Sequence, residues 1–148
     1  MQRTLILLKP DCVQRRLVGT IIGRFEQKGL RLVGLKLVQA SRDLAEKHYA
    51  VHKGKAFYDS LLVFLTSGPT VAMVWEGREA VDVARKLMGE TDGTKAPPAT
   101  IRGDFALSVQ NNLVHGSDSP QNAQTEIALW FTPQELVQFQ TCDAAWVG

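Results

Sequence analysis

Asn112-Leu113-Val114-His115-Gly116-Ser117-Asp118-Ser119 sets one histidine between the end of a strand and the start of a helix, and the chain reads as laid out around it. A neutral imidazole is nucleophilic, and histidine has an ordinary pKa of about 6.5, which leaves it largely neutral near pH 7. Gly116 allows a tight bend or the close approach of a ligand. Ser117, Asp118 or Ser119 can cap the following helix, with Pro120 in its first turn, and such a helix start favours phosphate or carboxylate. Taken alone, His115-Gly116 reads first as a capped loop whose imidazole only bonds the backbone.

Upstream of this stretch, Phe105 to Val109 reads as the last strand, and downstream Ala123, Ile127 and Trp130 mark the inner face of the last long helix. Thr132-Pro133-Gln134-Glu135 is a capping box that starts one more short helix, and Thr141 to Gly148 has no periodicity. At the other end of the chain, Thr4 to Leu8 is an apolar run stopped at Lys9-Pro10-Asp11, a buried strand with Lys9 at its end. Leu17, Val18, Ile21, Ile22 and Phe25 recur at helical spacing before Lys28-Gly29. Leu30 to Gln39 alternates as a half-solvated strand with Val33, Leu35 and Leu37 on one face.

Asp43-Leu44-Ala45-Glu46 reads as a capping box, with Asp43 as cap, for a short helix reaching about Tyr49. It ends in the basic cluster His52, Lys53 and Lys55. Phe57, Leu61, Leu62 and Leu65 mark a second short helix, stopped by Ser67-Gly68-Pro69. The two form a helical pair inserted between strands. Thr70 to Trp75 is another buried strand, and Ala80, Val81, Ala84, Leu87 and Met88 define the helix that follows, ended by Gly89. Glu90 to Gly103 is a long irregular stretch, either a mobile surface loop or a functional one. This order makes a mixed sheet covered by helices, and two crossover units sharing one sheet would give the split βαβ arrangement.

The 148 residues are expected to form one soluble domain: 45% are hydrophobic and 22% charged, and the net charge of +2 is too small to argue for nucleic acid as the main partner. Arg15, Arg16, Lys53 and Lys55 allow nucleic-acid contact as a side activity at most. Cys12 and Cys142 lie far apart with no zinc-ligand spacing, so reduced thiols and a cytoplasmic location are expected, and no apolar run is long enough for a signal peptide or membrane span. GxxxxGK[ST], HExxH, GxSxG and a helix-opening GxGxxG are all missing.

What the chain does offer is cations and hydroxyls at element ends: Lys9, Arg85, Thr91 and Arg102. Phosphoryl transfer needs such groups around its equatorial oxygens, though a lone lysine or arginine is usually solvated surface, so their convergence on His115 decides the matter. Glu126 either reaches one nitrogen of His115, freeing the other to attack, or is an exposed helix glutamate. For Tyr49 and Phe57 the default is a place in the core.

Asn112 to Asp118 matches the NxxHGSD signature of the nucleoside diphosphate kinases. Thr4 to Asp11 with Val13-Gln14-Arg15, Arg24 to Gly29, Ser67-Gly68-Pro69, Val71 to Gly77, Gly89-Glu90-Thr91, Thr100 to Phe105 and Glu126 to Phe131 resemble that family in order and spacing across essentially the whole chain. The resemblance implies an α+β, ferredoxin-like (split βαβ) sandwich: a four-stranded antiparallel sheet covered by helices, with an inserted helical pair and a long loop. It implies transfer of the terminal phosphoryl of a nucleoside triphosphate to a nucleoside diphosphate by ping-pong through a phosphohistidine. His115 would be the nucleophile at Nδ1, held by Glu126 with Ser117. Lys9, Tyr49, Arg85, Thr91, Arg102 and Asn112 would contact phosphates or ribose. Phe57, Leu61 and Val109 would hold the base by its flat face, which gives low base specificity. Magnesium would ride on the nucleotide's phosphates, with Asp118 near a metal-linked water and no protein ligand.

The resemblance also implies a homo-oligomer, a hexamer favoured over a tetramer by the extension through Trp146. Two residues depart from the family: Cys12 and Ala99 stand where glycine, which allows positive φ, is common, so a slightly different turn after Lys9 or loop before Arg102 is expected, with some thiol sensitivity at Cys12.

Overall fold

The computed structural model describes all residues from Met1 to Gly148. Its elements are β1 (Gln2–Leu8), α1 (Pro10–Gln14), α2 (Val18–Lys28), β2 (Arg31–Val38), α3 (Arg42–His48), α4 (Tyr58–Thr66), β3 (Thr70–Gly77), α5 (Ala80–Met88), α6 (Ile101–Phe105), β4 (Val114–Gly116), α7 (Pro120–Trp130) and α8 (Ala144–Val147), with single 3₁₀ turns at Ala50–His52 and Pro133–Glu135. The strands form one sheet in the order β2-β3-β1-β4. Every pairing is antiparallel, so the sheet is not the mixed one that element order suggests, and the ferredoxin-like arrangement stands.

β1 and β3 are apolar without alternation because both faces are covered. Ile6, Leu8, Val71, Met73 and Trp75 join α2 and α5 in one core. Leu5, Leu7, Ala72 and Val74 join α3, α4 and α7 in the other. Successive side chains of a strand point to opposite faces, so one apolar run feeds two cores. No helix is long and apolar enough to cross a membrane.

Several sequence expectations are corrected by long-range contacts. Phe105 to Val109 is not a strand. Thr100 caps α6 by accepting from the Gly103 amide, so Phe105 ends a helix inside what read as irregular loop. The last strand is the histidine stretch itself, with Leu7 opposite His115 and Leu8 opposite Val114. In β2 the register shifts between Leu32 and Gly34. This bulge sends Val33 into the core, while Leu35 and Leu37 are 52% and 67% exposed at the sheet edge. Ser41, not Asp43, caps α3, accepting from Leu44 N. Pro10 ends β1 and also opens α1, the one-turn helix that was not expected.

Of the two departures from glycine, only one meets a left-handed backbone. Cys12 lies inside α1, whereas Ala99 has φ of 77°. The strained Ala99 is held by Arg24, which donates from Nη1 to its carbonyl at 2.8 Å, and by its own amide donating to Asp104 Oδ1 at 3.0 Å. Relief of the left-handed strain is worth about 1–2 kcal/mol, and the extra freedom glycine gives the unfolded chain offsets about 0.4–1 kcal/mol of it. Ala99→Gly should therefore stabilise the fold by about 0.5–1 kcal/mol. The urea midpoint measures this, and an unchanged or lower midpoint would mean the position is not strained.

Candidate active site

Three short local decisions build the site. Lys9, at the end of β1, donates its amide to Leu113 O at 2.9 Å, and Asp11 in α1 accepts from Leu113 N at 3.0 Å. This clamp holds the turn before β4, where Leu113 takes the unusual φ of 74°. β4 then pairs with β1, and Ser119 caps α7 by accepting from Asn122 N. Gly116 serves packing rather than a bend: a Cβ there would lie 2.5 Å from Met88 Sδ.

Between β4, α7, the inserted helical pair and the long loop opens a cleft of about 890 Å³. Lys9, Tyr49, Phe57, Leu61, Arg85, Thr91, Arg102, Val109, Asn112, His115 and Glu126 all line it. Ser117, wholly buried, is the exception, and it stands behind the wall. The cations thus line the same cleft as His115, Tyr49 faces it as well as the core, and Phe57 faces it from outside the core. Phe57 and Val109 are 47% and 57% exposed at the mouth, with the Phe57 ring flanked by His52 and Lys55.

His115 Nε2 lies 3.1 Å from Glu126 Oε1, so its proton is shared with the carboxylate and Nδ1 keeps its lone pair. Ser117 donates from Oγ to the same oxygen at 2.7 Å and accepts from Leu5 N at 3.2 Å. Burial alone would raise the Glu126 pKa, but the hydrogen bonds from His115 and Ser117 outweigh it and hold the carboxylate below its ordinary range. Burial pushes the Tyr49 phenol up to about 12, with Glu126 adding to it, so it stays protonated.

Arg102 spends three of its five donors on the carbonyls of Asn112, Gly89 and Val114, at 3.2, 2.9 and 2.6 Å. Lys9 donates to Asn112 Oδ1, and Asn112 Nδ2 donates to Thr91 O at 3.0 Å. Arg85 donates to Gly116 O at 3.3 Å. Burial lowers Arg102 to about 10, with Arg85 adding to it.

Cys12 is fully buried, and burial first, then Asp11, pushes its thiol up to about 12. The expected thiol sensitivity at Cys12 is therefore corrected: alkylation of the native protein should stop at one label on the exposed Cys142, as intact mass will read.

Sequence reasoning missed His48, Trp130 and Asp11 as parts of the site. His48 ends α3 beside Tyr49 and is buried against His115, yet a histidine in a helix's last turn reads as a solvated dipole partner. Asp11 reads only as part of the stop after the first strand, and only the fold brings Leu113 to it.

The nucleoside diphosphate kinase family model matches residues 2–136. The nucleoside diphosphate kinase of Thermosynechococcus vestitus is 59% identical over 147 residues, 99% of this chain and 98% of that protein. That of Carboxydothermus hydrogenoformans is 56% identical, covering 99% of each. Among solved structures, a halophilic nucleoside diphosphate kinase from Halobacterium salinarum in complex with CDP superposes with a TM-score of 0.97 at 48% identity, covering 99% of this chain and 98% of that one. This fold with a cation-lined cleft is that of a phosphotransferase acting on nucleotides. The chain belongs to the nucleoside diphosphate kinase family.

Burial brings the Lys9 ammonium down to about 8, with Asp11 pushing back and Arg102 adding to the fall. A bound phosphate favours the charged form, so its pKa rises on binding. Nucleotide affinity should hold steady below about pH 8 and fall above it, with a proton taken up on binding. Calorimetry in buffers of different ionisation heat measures that proton, and none taken up at pH 8 would remove Lys9 from the phosphate site.

Proposed function

We propose that this chain moves the terminal phosphoryl of a nucleoside triphosphate to a nucleoside diphosphate in two half-reactions through a phosphohistidine on His115. One observation carries the reading: Glu126 engages Nε2 and leaves the Nδ1 lone pair free in a cleft lined by cations.

In the first half-reaction Nδ1 attacks the terminal phosphorus as the P–O bond to the leaving diphosphate breaks, and the electron pair departs on that oxygen. The proton on Nε2 stays in the bond to Glu126, which offsets the positive charge the ring gains, and Ser117 keeps the carboxylate aimed. Lys9, Arg85 and the remaining donors of Arg102 meet the equatorial oxygens, with Tyr49 and Thr91 adding hydroxyls. Asn112 spans Lys9 and the Thr91 loop and so fixes the spacing between them, near the ribose. The second half-reaction reverses these steps on another diphosphate.

Phe57, Leu61 and Val109 supply apolar contact to the flat face of any base, which supports low base specificity. The Halobacterium salinarum protein with CDP supports a nucleoside diphosphate in this cleft.

The acids lining the cleft are Asp118 and Glu126, and Glu126 is taken up by His115 and Ser117. A magnesium ion, which needs oxygen ligands, therefore fits only as a cation carried by the phosphates, with Asp118 reaching it through water. Bound there it would offset the charge of the phosphates.

We further read residues 1–148 as one domain of a homo-oligomer, with a hexamer favoured over a tetramer by the extension through Trp146. Its two free thiols favour the cytoplasm.

The deciding experiment is intact mass after brief exposure to ATP and magnesium, and again after excess GDP. One acid-labile phosphoryl should appear on His115 and leave as GTP. His115→Ala should lose transfer by several orders of magnitude while keeping its fold and nucleotide binding. Appreciable transfer by that variant would overturn the covalent mechanism.

A further inference from the structure

Behind His115 lies a second imidazole to which the reading above gives no task. His48 closes α3 and is 8% exposed. Its ring packs edge to face against His115, with 4.6 Å between centroids and 79° between planes. It meets Trp130 in the same manner, at 5.5 Å and 86°, and the Trp130 indole Nε1 donates to His48 Nδ1 at 3.1 Å. An indole nitrogen is a donor only, so Nδ1 has to be the acceptor, and in a neutral imidazole this places the proton on Nε2.

The ionisable groups around the ring are His115 from β4, Glu126 from α7, Lys9 after β1, His52 from the 3₁₀ turn and Tyr49 at the end of α3, whose protonated phenol ring meets His48 at 4.7 Å between centroids. Burial first, then His115, with Lys9 and His52 behind it and Glu126 opposing, holds His48 down to about 3. The ring is thus uncharged across the range in which the enzyme works.

We propose that His48 is a positioning residue for His115, locked by Trp130 as the neutral Nε2–H tautomer, and that the same lock keeps transition metals off the nucleophile.

Positioning follows from torsional freedom. The last torsion of a histidine is broad, so one hydrogen bond to Glu126 leaves the His115 ring free to tilt. A rigid ring packed against it narrows that tilt, and being neutral it adds no positive charge beside the nitrogen that must attack.

Metal exclusion follows from donor counting. One imidazole nitrogen from each histidine and one oxygen of Glu126 lie within 4.8 Å of one another, a two-imidazole, one-carboxylate set of the kind zinc takes. A metal-bound histidine carries its proton on the other nitrogen and donates it to a partner. Here that partner would be Trp130 Nε1–H, itself a donor, so a metal on His48 sets two donors face to face.

The positioning half rests on His115 as nucleophile, and the tautomer and the metal exclusion do not. The test begins with nitrogen NMR of the whole protein labelled at histidine. His48 should show a protonated Nε2 and a bare Nδ1, unchanged between about pH 5 and 8. Trp130→Phe should lose the single tautomer and lower kcat about tenfold with nucleotide KM unchanged. It should also bind zinc, titrated alone, about 10- to 100-fold more tightly than the parent. His48→Gln, uncharged and able to accept from Trp130, should keep more kcat than His48→Ala, with no gain in zinc affinity in either.

A protonated or Nδ1–H His48 in the parent overturns the lock. So does Trp130→Phe with parental kcat and zinc affinity. Should that variant not fold, equal kcat in His48→Gln, His48→Ala and the parent overturns the positioning. A locked His48 in a protein that forms no phosphohistidine would mean that the assigned reaction fails and the lock does not.

Discussion

β1 is buried on both faces and paired on both edges, and the site hangs from it. Its alternating residues supply both cores, Lys9 follows its last residue, and its Leu5 holds Ser117 twice, accepting from Ser117 N and donating its own amide to Oγ. Ser117 passes that rigidity to Glu126, and Glu126 passes it to the His115 ring. A strand packed on two sides is among the least mobile parts of a fold, so a histidine tied to it by short bonds is held within narrow limits.

The second constraint is electrostatic. Lys9, Arg85 and Arg102 approach one cleft, and their protein partners are carbonyl and amide oxygens rather than carboxylates. Neutral acceptors orient a cation without cancelling it. A buried carboxylate on any of them would favour the empty protein and compete with an incoming phosphate. Folding instead leaves these charges unneutralised, and the lowered Lys9 and Arg102 pKa values record the burial this requires. Such stored potential is useful only to a polyanion, which is why the cleft suits di- and triphosphates.

Legibility in the sequence followed the range of the interactions. Helix periods, the proline and glycine stops, a cap among Ser117, Asp118 and Ser119, and the buried runs Thr4 to Leu8 and Thr70 to Trp75 depend on neighbours a few residues away, and they were readable. The helix Ile101–Phe105 was missed because a single turn leaves almost no periodicity, and Phe105 to Val109 misread as a strand because Phe105, Leu107 and Val109 alternate there although Leu107 and Val109 are exposed. The exposed Leu35 and Leu37 misread because a bulge in an edge strand is set by pairing with β3, not by β2 itself. His48 was invisible as a partner of His115 because the two lie on elements that meet only after the helical pair folds back onto α7.

The sequence by itself determined the helical and buried segments, the histidine stretch and, through its motifs, the family with its expected chemical roles, because each is written in local spacing and residue type. Tertiary structure decided the antiparallel order of the strands, the strand identity of the histidine stretch and the neutral state of His48. It also decided the gathering of Lys9, Arg85 and Arg102 in the cleft that His115 lines. These rest on contacts between residues far apart in the chain, and on the burial those contacts create, which no local pattern encodes.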